Sequence, residues 1–179
     1  MTRLGEWPEQ RVGLFVDTQN LYYSARETYG GHVDYARLLE LALCGRRLSQ
    51  ATAYVVEREG EATAFSFISK LSILGYRVRR RIVRFANENS RNPIGGDWDM
   101  GIAADMVRSW GYLDVIVLAS GDGDFAPFVY LAQERGCRVE VMAFKETSSQ
   151  DLVDQADLFI SLSEQHDIFI KGEQRLKTG

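Results

Sequence analysis

Acidic side chains carry the chemistry this sequence can do, and they fall in three short segments. Asp17 ends the apolar run that begins at Arg11, Asp97 and Asp99 close a polar stretch, and Asp122 and Asp124 alternate with glycine after Ser120. Carboxylates gathered in one place repel: a pair ~4 Å apart costs roughly 4 kcal/mol at an effective dielectric of about 20. Either some hold protons at neutral pH or a cation sits among them. Cys44, Cys137, His32 and His166 are the only cysteines and histidines and are scattered, so zinc fits poorly. An all-oxygen donor set selects hard ions, Mg²⁺ or Mn²⁺. Two such ions roughly 3.5–4 Å apart suit in-line displacement at phosphate, one activating water and the other stabilising the leaving oxygen.

The surrounding pattern supplies elements that would bring these acids together. β-Branched runs at Arg11–Val16, Ala51–Val56, Tyr76–Phe85, Asp114–Ala119 and Arg138–Phe144 alternate with amphipathic stretches, as in βαβ units. A sixth strand is expected at Leu158–Leu162. Helices are expected after Asp17, from Asp34 to Leu43 with Asp34 as cap, and over 61–74, 98–110, 125–135 and 149–156. The fold class is therefore α/β: a single doubly wound, mainly parallel sheet flanked by helices, a Rossmann-like three-layer sandwich. Residues 86–96 are expected to be a loop, and the tail from Gln165 to be polar, helical or disordered. One domain spans 11–162, with extensions at 1–10 and 163–179. In such a sheet, ligands bind outside the carboxyl ends of the strands, near the point where strand order reverses. All three acidic segments fall at that rim.

Simpler roles compete for each residue. Asp17 and Asp124 immediately precede helices and would serve as N-caps, worth about 1 kcal/mol each. Asp122 sits between two glycines in a turn that would bring it close to a ligand. Asp105 lies some 120° round the helix from Asp99, at about 100° per residue, so it is expected behind the ligands. Thr18 and Ser120 would hold water or phosphate, or cap helices. Trp98 would stack on a base or pack the helix start against the sheet. Arg91, in the loop leading to Asp99, is the candidate phosphate contact. Arg79 and Arg81 share one face of their strand while Arg80 and Arg84 share the other, which suits a solvated edge strand better than a basic patch. Tyr22 and Tyr23 would line a groove or pack inward.

The motifs Asp17-Thr-Gln-Asn20, Gly96-Asp-Trp-Asp99 continuing to Asp105, Ser120-Gly-Asp-Gly-Asp-Phe125 and the stretch Ser149 to Asp157 resemble those of the NYN family. These are ribonuclease-like domains related to PIN nucleases, and the likeness is to the LabA-like branch, over Arg11 to Leu162. The resemblance implies a PIN-like fold and Mg²⁺- or Mn²⁺-dependent cleavage of RNA. Asp17, Asp99, Asp122 and Asp124 match the family's metal ligands, and Asn20 matches the residue that orients water or phosphate. Gly96 departs from the pattern, since the family often carries lysine there.

Bulk properties agree with an ordinary soluble globular protein. The chain has 179 residues, 45% of them hydrophobic, and a net charge of −4. That charge argues against a tight non-specific binder of nucleic acid, not against an enzyme that meets RNA briefly. No run is long enough to span a bilayer, residues 1–10 do not read as a secretory signal, and the cytoplasm is the expected compartment. The expected function is hydrolysis of single-stranded RNA at an aspartate-bound metal. The rival is a non-catalytic module that keeps the acidic rim and binds RNA, a nucleotide or a protein. Receiver and haloacid-dehalogenase-like domains fit less well: the third strand ends without a phosphoacceptor, and Asp17-Thr-Gln lacks a second acid two residues on. A homodimer would use the exposed edge strand or last helix, and no heptad repeat specifies one.

Overall fold

Side chains along the central strands sort alternately to two faces. In β1 (Arg11–Asp17), Val12, Leu14 and Val16 join one buried cluster and Phe15 joins another. In β5 (Val115–Ala119), Val115, Val117 and Ala119 join the first, Ile116 and Leu118 the second. This is the two-residue period of strands covered on both sides. The computed structural model describes residues 7–58, 64–85, 93–94 and 97–170.

The first face is closed by α1 (Thr18–Tyr29), α2 (Tyr35–Leu43) and α3 (Ala64–Ile73), through Leu21, Ala25, Leu38, Ala42 and Leu71. The second is closed by α4 (Asp99–Ser109), α5 (Ala126–Glu134) and α6 (Gln150–Gln155), through Ile102, Met106, Val129, Ala132 and Leu152. The remaining strands are β2 (Arg47–Arg58), β3 (Arg77–Phe85), β4 (Pro93–Ile94), β6 (Arg138–Ala143) and β7 (Leu158–Ser161). The seven strands lie in the order β4-β3-β2-β1-β5-β6-β7. All neighbours are parallel except β3 and β4. The expected doubly wound three-layer sandwich is what forms, and its strand order reverses between β1 and β5. Both strands point their carboxyl ends at the same crevice.

Three local features differ from the expectations. Within the stretch expected to be a loop, Pro93 and Ile94 pair antiparallel with Phe85 and Arg84, so β3 is not the outermost strand. Proline, lacking an N–H, is tolerated at such an edge. β2 begins at Arg47, ahead of its apolar portion, because Arg47 and Leu48 pair with Arg11 and Val12 before a bulge. The tail does not leave the domain at Gln165: Ile168 and Phe169 are buried, Phe169 bridges to Val33, and its ring packs on Tyr29 and Phe144. Asp34 caps α2 as expected, accepting from the Ala36 and Arg37 amides. Among the described residues, no helix is long and apolar enough to cross a membrane.

Candidate metal centre

β1 delivers Asp17 to the crevice at its last residue, and the chain turns there into α1. One Asp17 oxygen accepts from the Asn20 amide at 3.1 Å, and the other accepts from the Ser120 hydroxyl at 3.0 Å. Asn20 in turn accepts, through its side-chain oxygen, from the Gly121 amide at 2.9 Å. The starts of α1 and of the turn after β5 are thus fastened across the switch point. That turn continues as a short 3₁₀ segment, where Asp122 accepts from the Asp124 amide at 3.0 Å. On the opposite side, α4 begins at Asp99, whose amide donates to the Asp97 carboxylate at 3.3 Å, while Trp98 at the cap position makes no side-chain cap bond.

One oxygen from each of Asp99, Asp122 and Asp124 lies within 4.8 Å of the others. Asp99 and Asp122 are half-buried and Asp124 is exposed, so the group opens to solvent on one side. Asp17 is not within this group of three, but it is near enough for charges to be felt. Burial, assisted by the charges of Asp122 and Asp97, pushes its carboxyl up to about 6, against the hydrogen bonds from Asn20 and Ser120. Asp99 is pushed up to about 7, by burial first, then by the charge and hydrogen bonding of Asp97, and then by the charges of Asp17 and Asp122. Mutual repulsion and desolvation therefore act on the same rim, as expected where carboxylates converge. The donors are all carboxylate oxygens, and this hard set fits Mg²⁺ or Mn²⁺.

The other expected site residues divide. Ser120 holds Asp17 and also accepts from the Asp122 amide at 3.3 Å, so it organises the acids and caps no helix. Thr18 donates to the Tyr54 carbonyl at 2.6 Å, tying α1 to β2, and likewise caps nothing. Asp105 turns away from the rim. It accepts from the Tyr54 hydroxyl at 2.7 Å, from Arg108 at 3.1 Å and from Arg79. Burial works against its charge, yet hydrogen bonds from Arg79 and Tyr54, with the charges of Arg79 and Arg108, hold its carboxyl below the usual value. Trp98 is buried at 8% exposure, donates to the Val55 carbonyl at 3.0 Å and meets the Tyr54 ring edge-on. That placement suits packing, not base stacking. Arg91 lies outside the described residues, as does Gly96.

Two features at the site were not anticipated. The expected solvated strand is not one on the face of Arg79 and Arg81, whose guanidinium carbons lie 5.1 and 4.5 Å from the Trp98 ring centre. The two-residue period that puts them on one face was visible; the tryptophan beneath them was not. The glycines flanking Asp122 also serve another purpose than ligand approach. A Cβ at Gly121 would lie 2.9 Å from the Ser148 hydroxyl, and one at Gly123 would lie 2.6 Å from that of Ser149. They admit the Ser148–Ser149 turn, whose Ser149 amide donates to the Gly121 carbonyl at 2.9 Å.

With this geometry in view, the comparisons with known proteins are specific. The family model for the NYN domain matches residues 11–164. The chain belongs to the NYN domain family. This NYN domain is similar to the low amplitude and bright protein LabA of Synechococcus elongatus, with 26% identity over 168 residues covering 92% of this chain and 90% of that protein. It is also similar to a crystal structure of a protein of unknown function from Vibrio parahaemolyticus. That likeness has a TM-score of 0.78 and 29% identity, and covers 93% of this chain and 99% of the other. Both likenesses run nearly the whole length, and the family model spans every segment that carries the acidic rim.

Proposed function

We propose that this NYN domain is a Mg²⁺- or Mn²⁺-dependent ribonuclease acting on single-stranded RNA. The observation that carries the proposal is the convergence of Asp99, Asp122 and Asp124, from the start of α4 and the turn after β5, on one crevice at the switch point. Those three carboxylates would hold the ion, with Asp17 beside them. A bound Mg²⁺ or Mn²⁺ would supply activation of water and stabilisation of the leaving oxygen at an RNA phosphodiester. The chain's own residues provide orientation. Asn20 and Ser120 fix the Asp17 carboxylate through its two oxygens, and Asn20 locks the turn that carries Asp122. Asp17 keeps lone pairs on both oxygens beside the donor set.

A second reading has one observation in its favour: Asp17 and Asp122 already act as N-caps of the segments that follow them. A non-catalytic domain binding RNA, a nucleotide or a protein would need no more. Labelled single-stranded RNA incubated over a Mn²⁺ titration separates the two, using wild type and Asp122→Asn. The variant keeps a side-chain oxygen for the Asp124 amide and loses the charge. Cleavage that requires Mn²⁺ and disappears in the variant supports the ribonuclease. Equal cleavage by both proteins, or none by wild type at any Mn²⁺ concentration, overturns it.

A further inference from the structure

A crevice lined by Asp17, Asp97, Asp99, Asp122 and Asp124 repels the polyanion it is proposed to cut, and bound metal offsets only the charge at the carboxylates themselves. Some fixed cation must hold the strand beside them. Among the described residues, several arginines around the rim are committed to carboxylates. Arg79 and Arg108 pair with Asp105, and Arg80 pairs with Glu57. Arg81 is different. Among the described residues it has no carboxylate partner: its guanidinium donates to the main-chain carbonyl of Asp97, a neutral acceptor, and its central carbon lies over a ring, 4.5 Å from the Trp98 centre. Among the described residues, then, its positive charge is anchored on a ring and a neutral carbonyl and not on a carboxylate.

The anchor is rigid. Trp98 is pinned by its bond to the Val55 carbonyl and by Tyr54, and its six-membered ring lies where a Cβ at Gly101 would come within 2.5 Å. The glycine thus lets the indole press on the first turn of α4, next to Asp99. A guanidinium stacked on a fixed ring loses little further freedom on binding, and it keeps N–H donors in the planar fork that suits phosphate. The carbonyl it bonds belongs to Asp97, two residues before Asp99, so the charge sits at the mouth of the acidic group. Arg81 is half-buried and remains partly open to solvent.

From this geometry we propose that Arg81 is the phosphate-positioning residue of the site, gripping a phosphate of a single-stranded RNA next to the one presented to Asp99, Asp122 and Asp124. The proposal rests on the RNA-binding part of the proposed function. It does not require that the RNA be cut.

Binding of labelled single-stranded RNA to the full chain, followed by fluorescence anisotropy in EDTA over a series of salt concentrations, tests it. Arg81→Met keeps the aliphatic stem over Trp98 and removes the charge; Arg81→Gln is the second neutral variant should the first not fold. Wild type is expected to bind five- to tenfold more tightly than either. Its log–log salt slope should be steeper by about 0.7, the value of one phosphate contact on a single strand. Arg81→Lys restores the slope, because it restores the charge. Mn²⁺ binding, read by electron paramagnetic resonance, is unchanged in all three variants. Equal affinity and equal slope in the neutral variants overturn the proposal and leave Arg81 as a brace for Trp98. A neutral variant that binds less RNA and also loses Mn²⁺ overturns it too, since the defect is then in the acidic group. Loss of cleavage without loss of RNA binding in Asp122→Asn bears on the ribonuclease and leaves Arg81 untouched.

Discussion

Two regions of this NYN domain bury carboxylates, and they treat them in opposite ways. Within the sheet, Glu140 is fully buried and receives both arms of the Arg46 guanidinium at 2.9 and 2.8 Å and Arg138 at 2.8 Å. Arg46 is itself fastened to the Leu43 and Ala42 carbonyls. At the rim, Asp17 is nearly as buried, and its described partners are a hydroxyl and an amide, with other acids close by. A protein interior penalises an unmatched charge, so a matched one needs no explanation beyond architecture. An unmatched one persists when something outside the chain completes it. Even along one helix the contrast repeats: Asp105 of α4 has two arginines and a tyrosine, while Asp99, less than two turns away, faces Asp97, Asp17 and Asp122.

The same carboxylate-to-amide change in the two regions should therefore have opposite signs. Glu140→Gln removes the charge that the buried Arg46 guanidinium meets in the core, and breaking such a pair costs about 3–5 kcal/mol. Urea unfolding at pH 7.5 would show it as a lower midpoint with an unchanged slope. A loss below about 1 kcal/mol would mean that Glu140 is not a matched charge in the sense argued above.

Asp17→Asn should do the reverse in metal-free buffer. The folded-state value of about 6 stands above the ordinary carboxyl value of 3.8. Below about pH 4, Asp17 is protonated in both states and carries no penalty. Between those values the folded chain holds more protons than the unfolded chain, so stability falls as pH rises. At about 1.36 kcal/mol per unit, the fall is on the order of 3 kcal/mol and is complete above about pH 7. The amide removes it while still offering an oxygen to the Asn20 amide. Stability profiles of the two proteins from pH 4 to 8 should converge at the acid end and separate at the alkaline end, with the variant higher. Parallel profiles would refute the argument.

What the sequence made legible follows the same division between local and long-range causes. The strands, their alternation between two faces and the Asp34 cap come from patterns within a dozen residues, and they form as expected. The pairing of Arg46 with Glu140, or of Arg79 with Asp105, joins residues 94 and 26 positions apart, and nothing in either local pattern names the partner. Gly121 and Gly123 could be seen to need small side chains; that Ser148 and Ser149 are the reason depends on a turn after β6. Pro93–Ile94 is too short for a strand pattern. In the tail, the apolar triplet Ile168 to Ile170 was a usable signal, masked by the polar residues around it.

Cation addition sharpens the comparison from the other side. If the rim is incomplete without a metal, Mn²⁺ should stabilise the folded chain by about 2.7 kcal/mol at a hundred times its Kd, since only the folded state gathers the three carboxylates. Glu140→Gln should show the same increment on its lower baseline, because its defect lies elsewhere. Thermal melts with Mn²⁺ against EDTA measure both. No shift in wild type at millimolar Mn²⁺ would remove the metal from the account.

The smallest effect on stability should come from the residue whose loss is most selective for function. Asp124 is exposed, and its main-chain amide, not its carboxylate, is what Asp122 caps. Exposed substitutions away from caps and cores usually fall within about 0.5 kcal/mol, so Asp124→Asn should melt close to wild type in EDTA. It nonetheless removes one of three charges from the donor set, and Mn²⁺ affinity should fall at least tenfold, with the metal-induced rise in melting temperature shrinking to match. A variant that melts like wild type but no longer responds to Mn²⁺ would show that the rim's carboxylates are held for the ion and not for the fold. If affinity for Mn²⁺ were unchanged, Asp124 would be a solvated side chain that happens to lie near two others, and the donor set would shrink to Asp99 and Asp122 with Asp17 beside them.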